Sequence, residues 1–317
     1  MFETIVFFVL GLALLALGGD SIIKGSSGLA QRLGMSPFAT GLVLVAFGTS
    51  VPELAVNARA VLAGQPALAL GNAVGSNIVN VGLTLGAAAL AAPLLVRWRA
   101  LSPLLAVLLL ATVSVIALGW DGRLSRLDGA LLLAGFVAVV VFALARARDE
   151  HPEVRAALDA FASTRTDLVL NLLRIVVAVA LLYYGARWVV QSAPPIGLAL
   201  GMEPLLTGLL VVAVGTALPE MAAAVAAARR GQGDLVVGHV IGSSLFNLLV
   251  VLGGMAVIAD VAVPASFLRL ELPAALAFAL LLVPVLRGDL RVGRGEGAVL
   301  LAAFVAWWVF EYWLLRG

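Results

Sequence analysis

Two short segments set a carboxylate beside a proline within long apolar runs: Gly48-Thr49-Ser50-Val51-Pro52-Glu53 and Gly215-Thr216-Ala217-Leu218-Pro219-Glu220. A proline lacks the N–H that would bond the carbonyl four residues back. Pro52 therefore frees the carbonyl of Gly48, and Pro219 frees that of Gly215. Two carboxylates, bare carbonyls and the hydroxyls of Thr49, Ser50 and Thr216 form an all-oxygen donor set. Hard cations select such sets, and Ca²⁺ takes ~6–8 oxygens at ~2.3–2.6 Å. Glu53 and Glu220 together neutralise one Ca²⁺. Softer metals call for Cys or His, but the chain has no cysteine, and His239 is its only imidazole within an apolar run.

Each feature alone has a plainer reading. A proline in a membrane helix ordinarily marks a kink, and glycines there serve close packing. A carboxylate at the bilayer centre costs roughly 2.5–3.5 kcal/mol even on the lenient insertion scale, so such residues usually mark an ion or proton path. A second pair of segments follows the first. Ser76 and Asn80 are four residues apart and share a helix face, as do Ser243 and Asn247. Each pair can turn a hydroxyl and an amide oxygen to the same side.

What joins these residues is a repeat. Residues 34–54 and 201–221 are identical at twelve of 21 positions at a constant offset of 167. The same offset lays Gly71–Asn80 on Gly238–Asn247 without a gap. Apolar runs predict ten membrane-spanning helices, at about 3–19, 36–60, 67–92, 100–119, 127–146, 168–190, 203–228, 235–258, 265–286 and 296–315. The offset moves span two onto span seven, a shift of five, and an odd shift inverts direction across the membrane. The sequence thus predicts an all-α membrane protein of two inverted five-helix repeats with interrupted helices two and seven. Residues 1–147 form the first repeat, 148–165 a cytoplasmic linker and 166–317 the second repeat. Inverted repeats with broken helices are the architecture of secondary transporters, whose substrate site lies near the midplane.

Composition agrees. With 62% hydrophobic and 12% charged residues, and a mean hydropathy of +1.11, the chain cannot dress a water-soluble body of this size. A soluble enzyme, a disordered chain and a nucleic-acid binder are excluded. Nothing alternates as outer-membrane strands do. The first apolar run reads as a span rather than a secretory leader, because Glu3 stands where a basic region belongs. With the N-terminus outside, the cytoplasmic segments carry thirteen Lys and Arg and the external ones six, so the positive-inside rule puts both termini outside. Asp20 and Lys24 read as a surface ion pair, and the repeat maps them onto Arg187 and Gln191. Trp307, Trp308, Tyr312 and Trp313 read as an interfacial aromatic belt.

The duplicated G-T-S-x-P-E and G-N-x-x-G-S-N patterns resemble the cation/calcium antiporter superfamily, most closely its prokaryotic sodium/calcium exchanger branch. The resemblance implies ten helices, with ions held by spans two, three, seven and eight, and with spans one and six sliding across that core. It implies that Glu53 and Glu220 are the central carboxylates, shared by Ca²⁺ and Na⁺. Thr49, Ser50 and Thr216 then supply hydroxyl or carbonyl oxygens, Ala46 and Ala213 backbone carbonyls, and Ser76, Asn80, Ser243 and Asn247 the remainder. Three positions depart from the family pattern. Ala217 stands where serine is common, Asn247 where some relatives have aspartate, and His239 where the motif has asparagine.

The expectation is an inner (plasma) membrane antiporter, working as a monomer, that exports Ca²⁺ against Na⁺ by alternating access and needs no cofactor. A Ca²⁺/H⁺ exchanger of the same superfamily and a passive cation channel are the alternatives within transport. An intramembrane lipid-phosphate hydrolase is disfavoured because no basic residue lies between Gly41 and Leu54 or between Thr207 and Glu220 to hold phosphate.

Overall fold

The computed structural model describes residues 1–35, 40, 44, 48–96, 98–146, 152–287 and 291–314. Nine helices among the described residues are long and apolar enough to cross a membrane. They are Phe2–Arg32 (span one), Pro66–Ala91 (three), Leu101–Asp121 (four), Arg126–Ala145 (five), Leu168–Ala199 (six), Pro204–Arg229 (seven), Gly233–Ile258 (eight), Ala265–Val285 (nine) and Arg294–Leu314 (ten). The second apolar run is described from Gly48 onward. It is a 3₁₀ turn at Gly48–Ser50 followed by an α-helix at Val51–Leu62. The chain is a polytopic, nearly all-helical membrane protein.

Burial separates two classes of helix. Spans three and eight are 83% buried, whereas spans one, five, six and ten are under a third buried. Spans three and eight are thus the core, span seven is half buried, and the more uniformly apolar spans lie at the periphery. This division follows from composition. Spans three and eight carry the serines and asparagines that hydrocarbon would leave unsatisfied.

The 167-residue offset recurs in the contacts. Strand β1 (Leu94–Leu95), after span three, pairs with β4 (Arg291–Val292), after span nine. Strand β2 (Arg123–Leu124), after span four, pairs with β3 (Val261–Ala262), after span eight. Spans three and four end on opposite membrane faces, so the two ribbons lie on opposite faces. The offset carries β1 onto β3, exchanging those faces as an inverted repeat requires. A side chain at Gly18 would meet Leu182, and one at its counterpart Gly185 would meet Leu15, itself the counterpart of Leu182. Likewise Gly86 abuts the backbone of Gly297 in span ten, while Gly253 abuts that of Gly129 in span five.

Spans one and six are longer than hydropathy predicts. Span one runs 31 residues to Arg32 and span six 32 residues to Ala199. The polar residues after Gly19 end the apolar run but not the helix, because Asp20 and Lys24 are compatible with helical geometry and pair with each other. In span six, Pro194 and Pro195 lie inside the last turns without ending the helix. The two long helices pack along each other through backbone-close glycines, Gly11 against Gly185. The predicted linker contains a helix at Pro152–Ala162. The carbonyl of its last residue accepts hydrogen bonds from Ser27 (2.5 Å) and Gln31 (2.6 Å) of span one.

Candidate ion-binding site

The two motif helices are irregular in different ways. In span two the 3₁₀ turn gives way to an α-helix in which Pro52 sits in the first turn, where its missing N–H costs nothing. Among the described residues, span two thus changes from 3₁₀ to α geometry at the proline. Span seven is instead π-helical over Thr207–Val212 and then runs as a continuous α-helix from Ala213 through Pro219 to Arg229. The interruption of helix seven therefore lies before the Gly215–Pro219 segment rather than at it. Spans three and eight carry matching π-helical stretches, Asn80–Leu85 and Asn247–Val251, which start at repeat-equivalent asparagines. Such π segments are rare and concentrate at functional positions.

These distortions bring the predicted residues together. Glu53 is 1% exposed and Glu220 7%. Pro52, the chain neighbour of Glu53, lines one cavity together with Thr49, Thr216 and Glu220. The Ser50 and Ser243 hydroxyls are 2.6 Å apart, and Asn80 Nδ2 donates to Ser243 Oγ at 3.0 Å. Spans two, three and eight are thereby knotted at one point. Thr49 Oγ1 and His239 Nδ1 are 3.1 Å apart. The Ala213 carbonyl accepts a long hydrogen bond of 3.4 Å from Thr216. Ala46 lies outside the described residues.

The electrostatics of this cluster are unfinished. Both carboxylate oxygens of Glu53, Oε1 of Glu220, Ser76 Oγ, Asn80 Oδ1 and both polar atoms of Asn247 are buried without a hydrogen-bond partner. Each such group costs roughly 1–3 kcal/mol, more where it is charged. A soluble core would not retain so many. Nearly all of them are oxygens, the donors a hard cation requires. A cation bridging the carboxylates would repay both the desolvation and the mutual repulsion.

Sequence reasoning missed several members. Asn57 Nδ2 donates to the Glu53 carbonyl at 2.8 Å and braces that turn. Asn72, Asn77 and Thr84 in span three add further buried, unpartnered polar atoms. Their signal, polar side chains within an apolar run, is available from the sequence. Glu271 and Glu311, in spans nine and ten, are also buried. Nothing in the repeat pointed to them, because neither has an acidic counterpart.

Two cavities reach the cluster. One, of about 220 Å³, joins Thr49, Glu220 and His239 to Arg230 and Gln232. The other, of about 370 Å³, lies between span one and the broken helices and joins Thr49, Thr216 and Glu220 to Asp20 and Lys24. Both run from Glu220 toward the face where span one ends and span eight begins. At the opposite end, spans three and seven are sealed by close backbone contact, where a side chain on Gly71 would overlap the Leu205 carbonyl.

Comparison with known proteins identifies the arrangement. The family model "Sodium/calcium exchanger protein" matches residues 3–145 and 170–313. The inner membrane protein YrbG of Escherichia coli is 34% identical over 96% of this chain and 96% of its own length. The sodium/calcium exchanger MaX1 of Methanosarcina acetivorans is 29% identical over 96% of this chain and 97% of its own. Among solved structures, the sodium-calcium exchanger NCX_Mj soaked with 100 mM Na⁺ and 10 mM Sr²⁺ superposes with a TM-score of 0.66. It is 29% identical, and the match covers 96% of each chain.

Proposed function

The chain belongs to the sodium/calcium exchanger family, and from that premise we propose that it exports Ca²⁺ in exchange for Na⁺ by alternating access. It is a transporter and not an enzyme. Glu53 and Glu220 are the carboxylates that hold the ions. Thr49, Ser50, Thr216, Ser76, Asn80, Ser243, Asn247 and the carbonyls of Ala46 and Ala213 complete the coordination. The repeats span 1–147 and 166–317 about a cytoplasmic linker, and both termini lie outside an inner (plasma) membrane. One chain suffices, because both carboxylates come from it.

The observation that carries this reading is the set of buried, partnerless atoms shared between the two repeats. They are arranged for a hard cation and lie beside two cavities that, among the described residues, run from Glu220 toward the face where span one ends. In the proposed orientation that face is cytoplasmic, so the conformation is inward-open. Two carboxylates balance one Ca²⁺ but not Ca²⁺ together with several Na⁺. The two substrates therefore compete, which is the thermodynamic basis of exchange. Where more than two Na⁺ exchange for each Ca²⁺, the membrane potential contributes about 2.3 kcal/mol per net charge per 100 mV.

The test is Ca²⁺ uptake into proteoliposomes loaded with Na⁺. We expect uptake that collapses when the Na⁺ gradient is dissipated and that is lost in Glu53→Gln and Glu220→Gln. Uptake driven by a pH gradient without Na⁺, or flux that needs no counter-ion, would overturn the proposal.

A further inference from the structure

The cavity beneath span one contains a feature that the repeat does not duplicate. Gly19 packs on Pro52, so that a side chain there would stand 3.0 Å from the proline ring. The next residue, Asp20, therefore sits immediately beside the break in span two. Asp20 lines the same 370 Å³ cavity as Thr49, Thr216 and Glu220, and Lys24 lines it one turn nearer the surface. Lys24 Nζ is 2.6 Å from Asp20 Oδ2, with the two side chains 53% and 58% exposed. An exposed pair of this kind contributes little to stability. Its place is what matters: the carboxylate lines one of the two cavities that reach Glu220. The inverted repeat puts Arg187 and Gln191 at the corresponding positions of span six. The position that the repeat makes equivalent to Asp20 therefore carries a cationic side chain.

We propose that Asp20 recruits the incoming cation at the cytoplasmic mouth, that Lys24 is the placeholder the cation displaces, and that this pair sets the Ca²⁺-over-Na⁺ preference on that face alone. The inference rests on the exchanger reading above. Its physical basis is that Coulomb energy scales with ionic charge. A divalent ion gains twice what a monovalent ion gains from Asp20 and replaces the lysine ammonium more readily. On the outer face Arg187 repels where Asp20 attracts, so the two faces differ in apparent affinity although they lead to one site.

The experiment measures half-saturating Ca²⁺, and half-inhibiting Na⁺, on each face separately, using inside-out and right-side-out membrane vesicles. In inside-out vesicles Asp20→Asn should raise half-saturating Ca²⁺ about five-fold and half-inhibiting Na⁺ about two-fold, while Lys24→Gln lowers both. Both effects should shrink as ionic strength rises. In right-side-out vesicles neither variant should shift either constant, and Arg187→Gln should lower half-saturating Ca²⁺. A merely structural pair would instead change the two faces alike and without salt dependence, and that result overturns the proposal, as do unshifted constants in active inside-out vesicles. Wild-type vesicles lacking Na⁺-coupled Ca²⁺ flux would instead overturn the exchanger reading, and this inference with it.

Discussion

Ser243 is the residue on which three helices converge. Its hydroxyl meets Ser50 at 2.6 Å and accepts from Asn80 at 3.0 Å. Ser243→Ala removes both partners and leaves two more buried polar groups unsatisfied, at roughly 1–3 kcal/mol each. We expect Ca²⁺ affinity to fall by about ten-fold with the fold intact, measured by calorimetric titration alongside thermal unfolding. Glu271 and Glu311 lead to the opposite expectation. Glu311 accepts a hydrogen bond from Trp307 at 3.1 Å, which an amide oxygen can also accept, and Oε2 of Glu271 has no partner. Glu271→Gln and Glu311→Gln relieve buried charge, so unfolding temperature should hold or rise and Na⁺-coupled flux should persist. A loss of flux would place these acids in the transport path. At this scale Glu53 and Glu220 stand out in the sequence because a carboxylate cannot sit cheaply in an apolar run, and the fold buries both. The sequence reads Asp20 and Lys24 as a surface pair. The geometry agrees, and the fold adds that Asp20 lines the same cavity as Glu220.

Helix contacts show which glycines bear on packing. Gly71 lies where any side chain would overlap the Leu205 backbone, whereas nothing lies within 4 Å of a side chain at Gly254. Gly71→Ala should therefore reduce the yield of folded protein sharply, while Gly254→Ala should match wild type in yield and unfolding temperature. Gly185 meets Gly11 and Leu15 of span one at about 3 Å, so Gly185→Val should wedge spans one and six apart. We expect this variant to lose roughly 1–3 kcal/mol of stability and, where spans one and six slide as the family resemblance implies, to slow exchange. The break in span two was legible from Pro52, since a proline excludes the helical bond whatever surrounds it. The π segment at Thr207–Val212 was not. No residue there forbids an α-helix, and the extra residue per turn is imposed by packing against span three, where Gly208 meets the Leu68 backbone. The ends of spans one and six were misplaced for a related reason. Hydropathy reports where the bilayer ends, and a helix need not end there.

Across the whole molecule, the account is one of a duplicated core opened to a single face. The absence of native cysteine makes that access measurable. A cysteine at Ala223, which lines both cavities, should react with a membrane-impermeant thiol reagent added at the cytoplasmic face without ions, and not with reagent added outside. Labelling from outside alone would reverse the assigned orientation. The sequence predicts an inverted architecture because the offset of 167 needs only a span count to give its sign, and the pairing of β1 with β4 and β2 with β3 is consistent with it. The ribbons joining β1 to β4 and β2 to β3 were not legible, because two-residue strands carry no periodicity. The central claim is that Glu53 and Glu220 hold Ca²⁺ in competition with Na⁺. Its most direct test is calorimetric titration of purified protein with Ca²⁺ at fixed pH and rising Na⁺, repeated on Glu53→Gln and Glu220→Gln. The account predicts one Ca²⁺ site whose apparent affinity falls steadily as Na⁺ rises and whose heat disappears in both variants. Ca²⁺ binding that ignores Na⁺, or that survives the loss of either carboxylate, would contradict it.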